Sequence, residues 1–247
     1  MISRSTNSGF VRTEYTTHTQ HLPTKRQNLL YAIVLISSSL INLIVASFIY
    51  QDAHHTKDTV RALFPFVHHA LAISPFLFGS ILVLMGISLA HSMLHHSRRI
   101  RKSLLVLGIL SGLYMAINIL TISYGIYVFK IQSYLLLAIS VCVYLSVNAT
   151  FVFWYWYVDY PTQVRSLHHP GSMRQIAFPR QSEAATSHSA PGFLDYLYLA
   201  VITSNTLGSP ENHSPDGQKA KAVMMMHSLT MMILLVIFVS RAINTLS

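Results

Sequence analysis

The chain alternates long apolar runs with short polar joints. An apolar run of about 20 residues with almost no charge is long enough to cross the hydrocarbon core of a bilayer as a helix. Five such runs stand out: residues 29–50, 67–94, 103–129, 134–158 and 222–240. A sixth, 193–207, is shorter: at 1.5 Å per residue it reaches about 23 Å, against a core of about 30 Å. Pro75, near the start of the second run, predicts a kink or a first-turn proline there. The pattern predicts an all-α polytopic membrane helix bundle of five spans plus a short sixth segment.

The polar stretches divide the rest. Residues 1–28 are rich in Thr and Ser, carry basic residues and hold no apolar core before a cleavage site. They read as a disordered tail and not as a signal peptide. Residues 29–158 form a four-span bundle. Residues 159–192, with several Pro, Ser and His, lack helical periodicity and read as a linker. Residues 193–247 hold the short run, a polar turn and the last span.

Composition agrees. The chain is 52% hydrophobic and only 10% charged, whereas soluble domains carry about 25% charged residues. The net charge of +9 does not point to nucleic acid, because the basic residues sit in the tail and in short loops. There they orient spans, the cytoplasmic side being the basic one. The joint 96–102 (HSRRIRK) packs Arg98, Arg99, Arg101 and Lys102 into a very short loop, and Arg4, Arg12, Lys25 and Arg26 lie two spans before it. Both places are therefore expected in the cytoplasm, with the N-terminus inside. The fourth run ends in FVFWYWYVDY, an aromatic belt of the kind found at a membrane surface. This orientation puts residue 192 in the cytoplasm. The run 193–207 then either crosses fully, giving six spans with both termini inside, or dips in and returns. Full crossing is the favoured expectation, although it places Lys219 and Lys221 outside, against the charge rule.

Candidate chemistry is sparse. Gly108, Gly112 and Ala116 recur every four residues, a small-residue face for close helix packing. Asn42, Asn118 and Asn148 lie one per span at mid-depth and read as interhelical hydrogen-bonding groups, with a polar permeation path as the alternative. His227, among Met224–Met226, reads as a polar contact in a methionine-filled packing surface or as a gating group. Arg241 reads as a residue snorkelling at the inner end of the last span, or as a second gating position. Asp195 suits the positive start of its helix. Histidine pairs such as His91 and His95 lack neighbouring carboxylates or thiols to complete a metal site. The single cysteine, Cys142, allows no intrachain disulfide. No nucleophile–base set or phosphate loop appears, so neither an enzyme nor a cofactor is expected.

Residues 193–247 resemble the pore region of potassium-channel-like proteins. DYLYLAVITSNTLG stands where a pore helix and the start of a filter would be, SPENHSPDGQKAK is the outer loop, and AVMMMHSLTMMILLVIFVSRAIN the inner helix. About 100 residues resemble a family of uncharacterised bacterial multi-pass membrane proteins with a degenerate channel-like C-terminal region. The resemblance lies in Trp154-Tyr155-Trp156 with Asp159, Phe178-Pro179-Arg180-Gln181, 195–200, Ser209-Pro210-Glu211 and Ser240-Arg241-Ala242-Ile243-Asn244. It implies filter-like positions at Thr206, Leu207, Gly208, Ser209, Pro210 and Glu211. A potassium filter replaces the ion's water shell with consecutive carbonyls, and glycines permit that backbone. Pro210 falls at the second glycine, and its φ is locked near −65°. The resemblance thus implies a weakly selective path for a monovalent cation, in a homo-oligomer, tetrameric if a channel, set in the lipid bilayer. The alternative is a non-conducting membrane scaffold.

Overall fold

The computed structural model describes residues 25–55, 76, 79–80, 82–84, 86–87, 90, 97–128, 133–168, 175–178, 191–207 and 214–246. Five helices carry the chain: α1 (Lys25–His55), α2 (Ser97–Val128), α3 (Ser133–His168), α4 (Phe193–Thr206) and α5 (Gln218–Leu246). Two short strands, β1 (Ile176–Ala177) and β2 (Ser214–Pro215), pair antiparallel. Four helices are long and apolar enough to cross a membrane, over Gln27–Phe48, Arg101–Leu120, Leu135–Arg165 and Gln218–Ser240. The fold is all-α, and its apolar helices are compatible with a membrane protein. Most of the predicted span 67–94 lies outside the described residues, although those described within it are helical.

The central helix is α3, against which α1, α2, α4 and α5 all pack. Its apolar residues face several neighbours at once, so Val147, Val152, Phe153 and Tyr155 have no exposed surface or almost none. The helix does not stop at Val158 as the loss of apolar periodicity predicts, but runs on through Pro161 to His168. Proline removes one backbone donor, yet side chains just after the apolar run turn inward and bond, and those bonds replace burial as the reason for order.

Side-chain contacts give the direction of each helix. Tyr31 stacks on Trp156 with ring centroids 4.2 Å apart, and further along α1 Ser38 meets Thr150 and Asn42 meets Ser146. Helix α1 therefore runs antiparallel to α3. Helix α2 does the same, since the Arg101 guanidinium lies over Tyr157 and Tyr160 (5.1 and 4.8 Å to the ring centroids) while Gly108 faces Phe153. Helices α1 and α2 are therefore parallel to each other.

The α2 seam differs from the small-residue stripe read in the sequence. Leu104, Leu107, Gly108, Ser111, Met115, Asn118 and Ile122 are buried, whereas Gly112 is half-buried and Ala116 exposed. A straight helix turns 3.6 residues per turn, so a stripe spaced strictly by four drifts off the seam. At Gly108 a Cβ would overlap the Phe153 ring, while at Gly112 it would sit 3.9 Å from Trp154 Nε1, an ordinary contact. Gly108→Ala is therefore expected to cost about 1–3 kcal/mol through overpacking, and Gly112→Ala less than about 0.5 kcal/mol. Thermal unfolding of the two variants in detergent separates them. Equal midpoints would show that Phe153 moves aside.

Helix α4 also runs antiparallel to α3, from Tyr196 beside Asp159 to Ser204 and Asn205 beside Tyr144. Fifteen residues of α3 separate those levels, about 22 Å. The chain then comes back. Ser214 and Pro215 pair with Ala177 and Ile176, and the Ile176 amide donates to Asp159 Oδ1. Helices α4 and α5 thus begin at the same end of α3, which is at odds with the full crossing expected of 193–207. Fourteen helical residues make about 21 Å, short of a hydrocarbon core of about 30 Å. One consequence is that Lys219 and Lys221 join the basic start of α2 at one end of the bundle. Arg241, placed at the inner end by the crossing scheme, belongs instead to the opposite end of α5.

Candidate functional site

The C-terminal region is organised around α4, which has a root, a middle and a tip. At the root, Asp195 Oδ2 accepts the Gly192 amide at 2.7 Å. This caps the helix start and places a negative group at its positive end. Asp159, wholly buried, is the hub next to it. Its Oδ2 accepts from Tyr196 Oη (2.7 Å) and Gln163 Nε2 (2.8 Å). Its Oδ1 accepts from the Ile176 amide and the Thr162 hydroxyl, both at 3.3 Å. Gln163 Nε2 also donates to Tyr196 Oη. One carboxylate, acting only as acceptor, thus joins the end of α3, the root of α4 and β1. Around it Phe178 meets Tyr196 edge to face at 5.4 Å, and Tyr31 packs on Phe193 and Tyr196.

In the middle, α4 meets α3 and α5 at a small polar group inside the core. Tyr155 Oη and His227 Nδ1 are 3.0 Å apart, and the His227 ring stacks on Phe151 with centroids 4.2 Å apart. Thr203 lies beside Tyr155. All three side chains are buried, and His227 Nε2 has no hydrogen-bond partner among the described residues. The flanking Met224 and Met231 are buried on the same inward line of α5. His227 is thus a packed contact between α3 and α5.

At the tip, Tyr144 Oη donates to Asn205 Oδ1 (3.1 Å) and lies 3.2 Å from Ser204 Oγ. Ser204 and Thr206 turn their hydroxyls back to the carbonyls of Val201 and Ile202, which leaves the helix end compact. Leu207 closes it in the left-handed conformation, φ 53° and ψ 28°. A non-glycine residue there costs about 1–2 kcal/mol, and Leu207 is the only non-glycine residue with positive φ among those described. Asn205, Thr206 and Leu207 are exposed. Of the filter-like positions, only Thr206 and Leu207 lie within the described residues. Gly208, Ser209, Pro210 and Glu211 lie outside them, as does the side chain of Arg241.

The mid-span asparagines belong to a separate belt between α1, α2 and α3. Asn42 Nδ2 donates to Ser146 Oγ (2.7 Å), and Asn118 Nδ2 to the Asn42 carbonyl (2.7 Å). Ser38 bonds the Ser146 carbonyl and the hydroxyls of Ser146 and Thr150, at 2.8–3.0 Å. Asn148 does not cross between helices: its Nδ2 donates to the Tyr144 carbonyl one turn earlier. Asn42 and Asn118 thus join α1 to α3 and α2 to α1 inside the core. Nothing in the sequence marked Tyr144 or Gln163 as members of a site, and Tyr196 stood out only within the 195–200 stretch that carries the resemblance. Asp159 did carry a signal, being the lone acid closing an aromatic run, but it read as the end of a span.

No group of three or more metal-type ligands occurs among the described residues. Comparison with family models, curated proteins and solved structures gives no match to this chain.

Proposed function

We propose that this chain is a multi-pass membrane protein whose C-terminal region forms part of a path for monovalent cations. The observation that carries the reading is the tip of α4. A 14-residue helix that starts at the basic end of the bundle and stops about 22 Å along α3 cannot cross a hydrocarbon core of about 30 Å. Its last carbonyls, with Asn205 and Thr206, then lie at membrane depth, where irregular polar backbone is tolerated only inside protein or beside water. The negative end of a helix dipole at that depth favours a cation.

In this reading α1, the passage 67–94, α2, α3 and α5 are five spans, and α4 dips in and returns. The basic starts of α2 and α5 put that end, and the N-terminus, in the cytoplasm. Pro210 at the position of a filter glycine argues for weak selectivity and against a potassium filter. A single dip cannot enclose a pore, so the path needs several copies, a tetramer being the arrangement the resemblance implies. The dense bonding at Asp159 favours the second reading, a non-conducting scaffold in which α4 is a packing element.

Purified protein in liposomes decides between them. A cation path gives potassium or sodium flux above protein-free liposomes, and Thr206→Leu lowers it several-fold. No flux over that background in folded, reconstituted protein overturns the path and leaves the scaffold.

A further inference from the structure

We infer that the end of the bundle where α1, α2 and α5 start binds the headgroups of anionic phospholipids, around Arg101. The inference rests on the membrane placement proposed above and not on conduction. It begins with charge. Lys25 and Arg26 open α1, and Arg98, Arg99, Arg101 and Lys102 lie in the first two turns of α2. Lys219 and Lys221 lie in the first turn of α5, and Arg165 near the end of α3. Contacts bring these stretches to one end. Tyr31 of α1 stacks on Trp156, Arg101 lies over Tyr157 and Tyr160, and α5 follows β2, which pairs with β1 beside Asp159.

Against those nine cations, the described residues of this end set Asp159, Asp195 and Asp216. Asp159 is bonded inward and Asp195 caps α4. The chain outside the described residues cannot cancel the excess, wherever it lies. Residues 1–24 carry Arg4 and Arg12 against Glu14, and 169–174 with 179–190 carry Arg174 and Arg180 against Glu183. Residues 56–75 carry Lys57 and Arg61 against Asp58, and 208–213 add Glu211 alone. The aromatic residues then say which anion fits. Trp154, Trp156, Tyr157 and Tyr160 form a belt at this level, of the kind that sits among headgroups. Two tyrosine rings hold the Arg101 guanidinium there, at 5.1 and 4.8 Å from their centroids. A ring face holds a guanidinium by its charge and plane and not by its N–H donors, which match the oxygens of a phosphate. Lys102, Arg165, Lys219 and Lys221 are exposed at the same end, and each cation near an anionic leaflet adds attraction. Free phosphate would meet the same charge, but only lipid brings phosphates to the depth of the belt.

The test reads the chain's two tryptophans. Both lie at this level, Trp154 with its ring centroid 6.1 Å from that of Tyr157 and Trp156 5.5 Å from Tyr160. The full chain is reconstituted in phosphatidylcholine vesicles with a minor share of lipid brominated on its acyl chains, either phosphatidylglycerol or phosphatidylcholine. Bromine quenches tryptophan fluorescence on contact. Headgroup binding makes the anionic lipid quench several-fold more efficiently than the zwitterionic one at the same share. Arg101→Gln combined with Lys102→Gln lowers that preference at least about two-fold, and molar salt also lowers it. Equal quenching by the two lipids overturns the inference, as does a preference that the paired substitution leaves unchanged. Loss of the preference on adding inorganic phosphate at constant ionic strength assigns the site to free phosphate and overturns the lipid. Lys219→Gln with Lys221→Gln replaces the Arg101 pair if that protein does not fold, with the same expected loss. A chain stripped from the vesicles by alkaline carbonate overturns the membrane placement and the inference with it, which keeps the two failures apart.

Discussion

A cysteine at Ser214 and a cysteine at Ser166 will react with a membrane-impermeant thiol reagent from the same side, and one at Thr245 from the other. This follows from three pieces of geometry. Helix α3 ends at His168 beyond the Asp159 hub, β2 returns to β1 at that hub, and α5 starts from β2 and runs the opposite way to α3. The five passages proposed above put the two termini on opposite faces, whereas the six-span scheme puts both on one. The effect is all-or-none, because a bilayer separates the outcomes. Charge supports the expectation, since Lys219 and Lys221 then share a side with Arg98, Arg99, Arg101 and Lys102, as the charge rule requires. Labelling of the Ser214 and Ser166 positions from opposite faces would sink it. The measurement needs a Cys142→Ser background, and no activity.

The second large effect is at Asp159. Asp159→Ala removes, in a buried place, the carboxylate that accepts from the Ile176 amide, from Tyr196 Oη and from Gln163 Nε2, the last of which keeps its bond to Tyr196 Oη. An orphaned buried donor costs about 1–3 kcal/mol, so the total is expected at roughly 3 kcal/mol or more. For a chain of this size that lowers the melting midpoint by on the order of 10 °C. Asp159→Asn is expected to do little better, because its amide nitrogen would face groups that donate, whichever way it turns. Tyr196→Phe removes a single hydroxyl and should cost about 1 kcal/mol. Limited proteolysis adds a local readout, cleavage near α4 rising in the Asp159 variants before the rest of the chain opens. A midpoint for Asp159→Ala within a degree or two of the unaltered protein would show that water replaces the carboxylate, and that α4 is held by its apolar face alone.

That apolar face is where sequence and structure agree best. Tyr196, Leu199, Ala200, Thr203 and Ser204 are buried at the spacing of one helical side, and the long runs became α1, α2, α3 and α5 with boundaries shifted by several residues at most in three of them. Twenty or more apolar residues have few alternatives to a helix, so such elements are legible one at a time. Asp195 as a helix cap was legible for the same reason: a cap is a contact over three residues.

Other features depended on partners far away in the chain. Asp159 bonds Tyr196 at 37 positions' distance and Tyr155 meets His227 at 72, and no periodicity links such residues. Extension of α3 past Val158 was hidden because the inward residues there, Asp159 and Gln163, are polar and look like linker. The direction of the last two helices was misread for a related reason. Charge patterns assign sides only when each apolar run is counted as a crossing or not, and α4 is too short for its composition to decide. By itself the sequence determined the class of fold and the long helices, because the burial of an apolar run acts residue by residue. The tertiary structure decided that α4 turns back, that Asp159 anchors it and that Asn205 and Thr206 stand exposed at its tip. Those are matters of which ends meet, set by a two-residue ladder and one carboxylate.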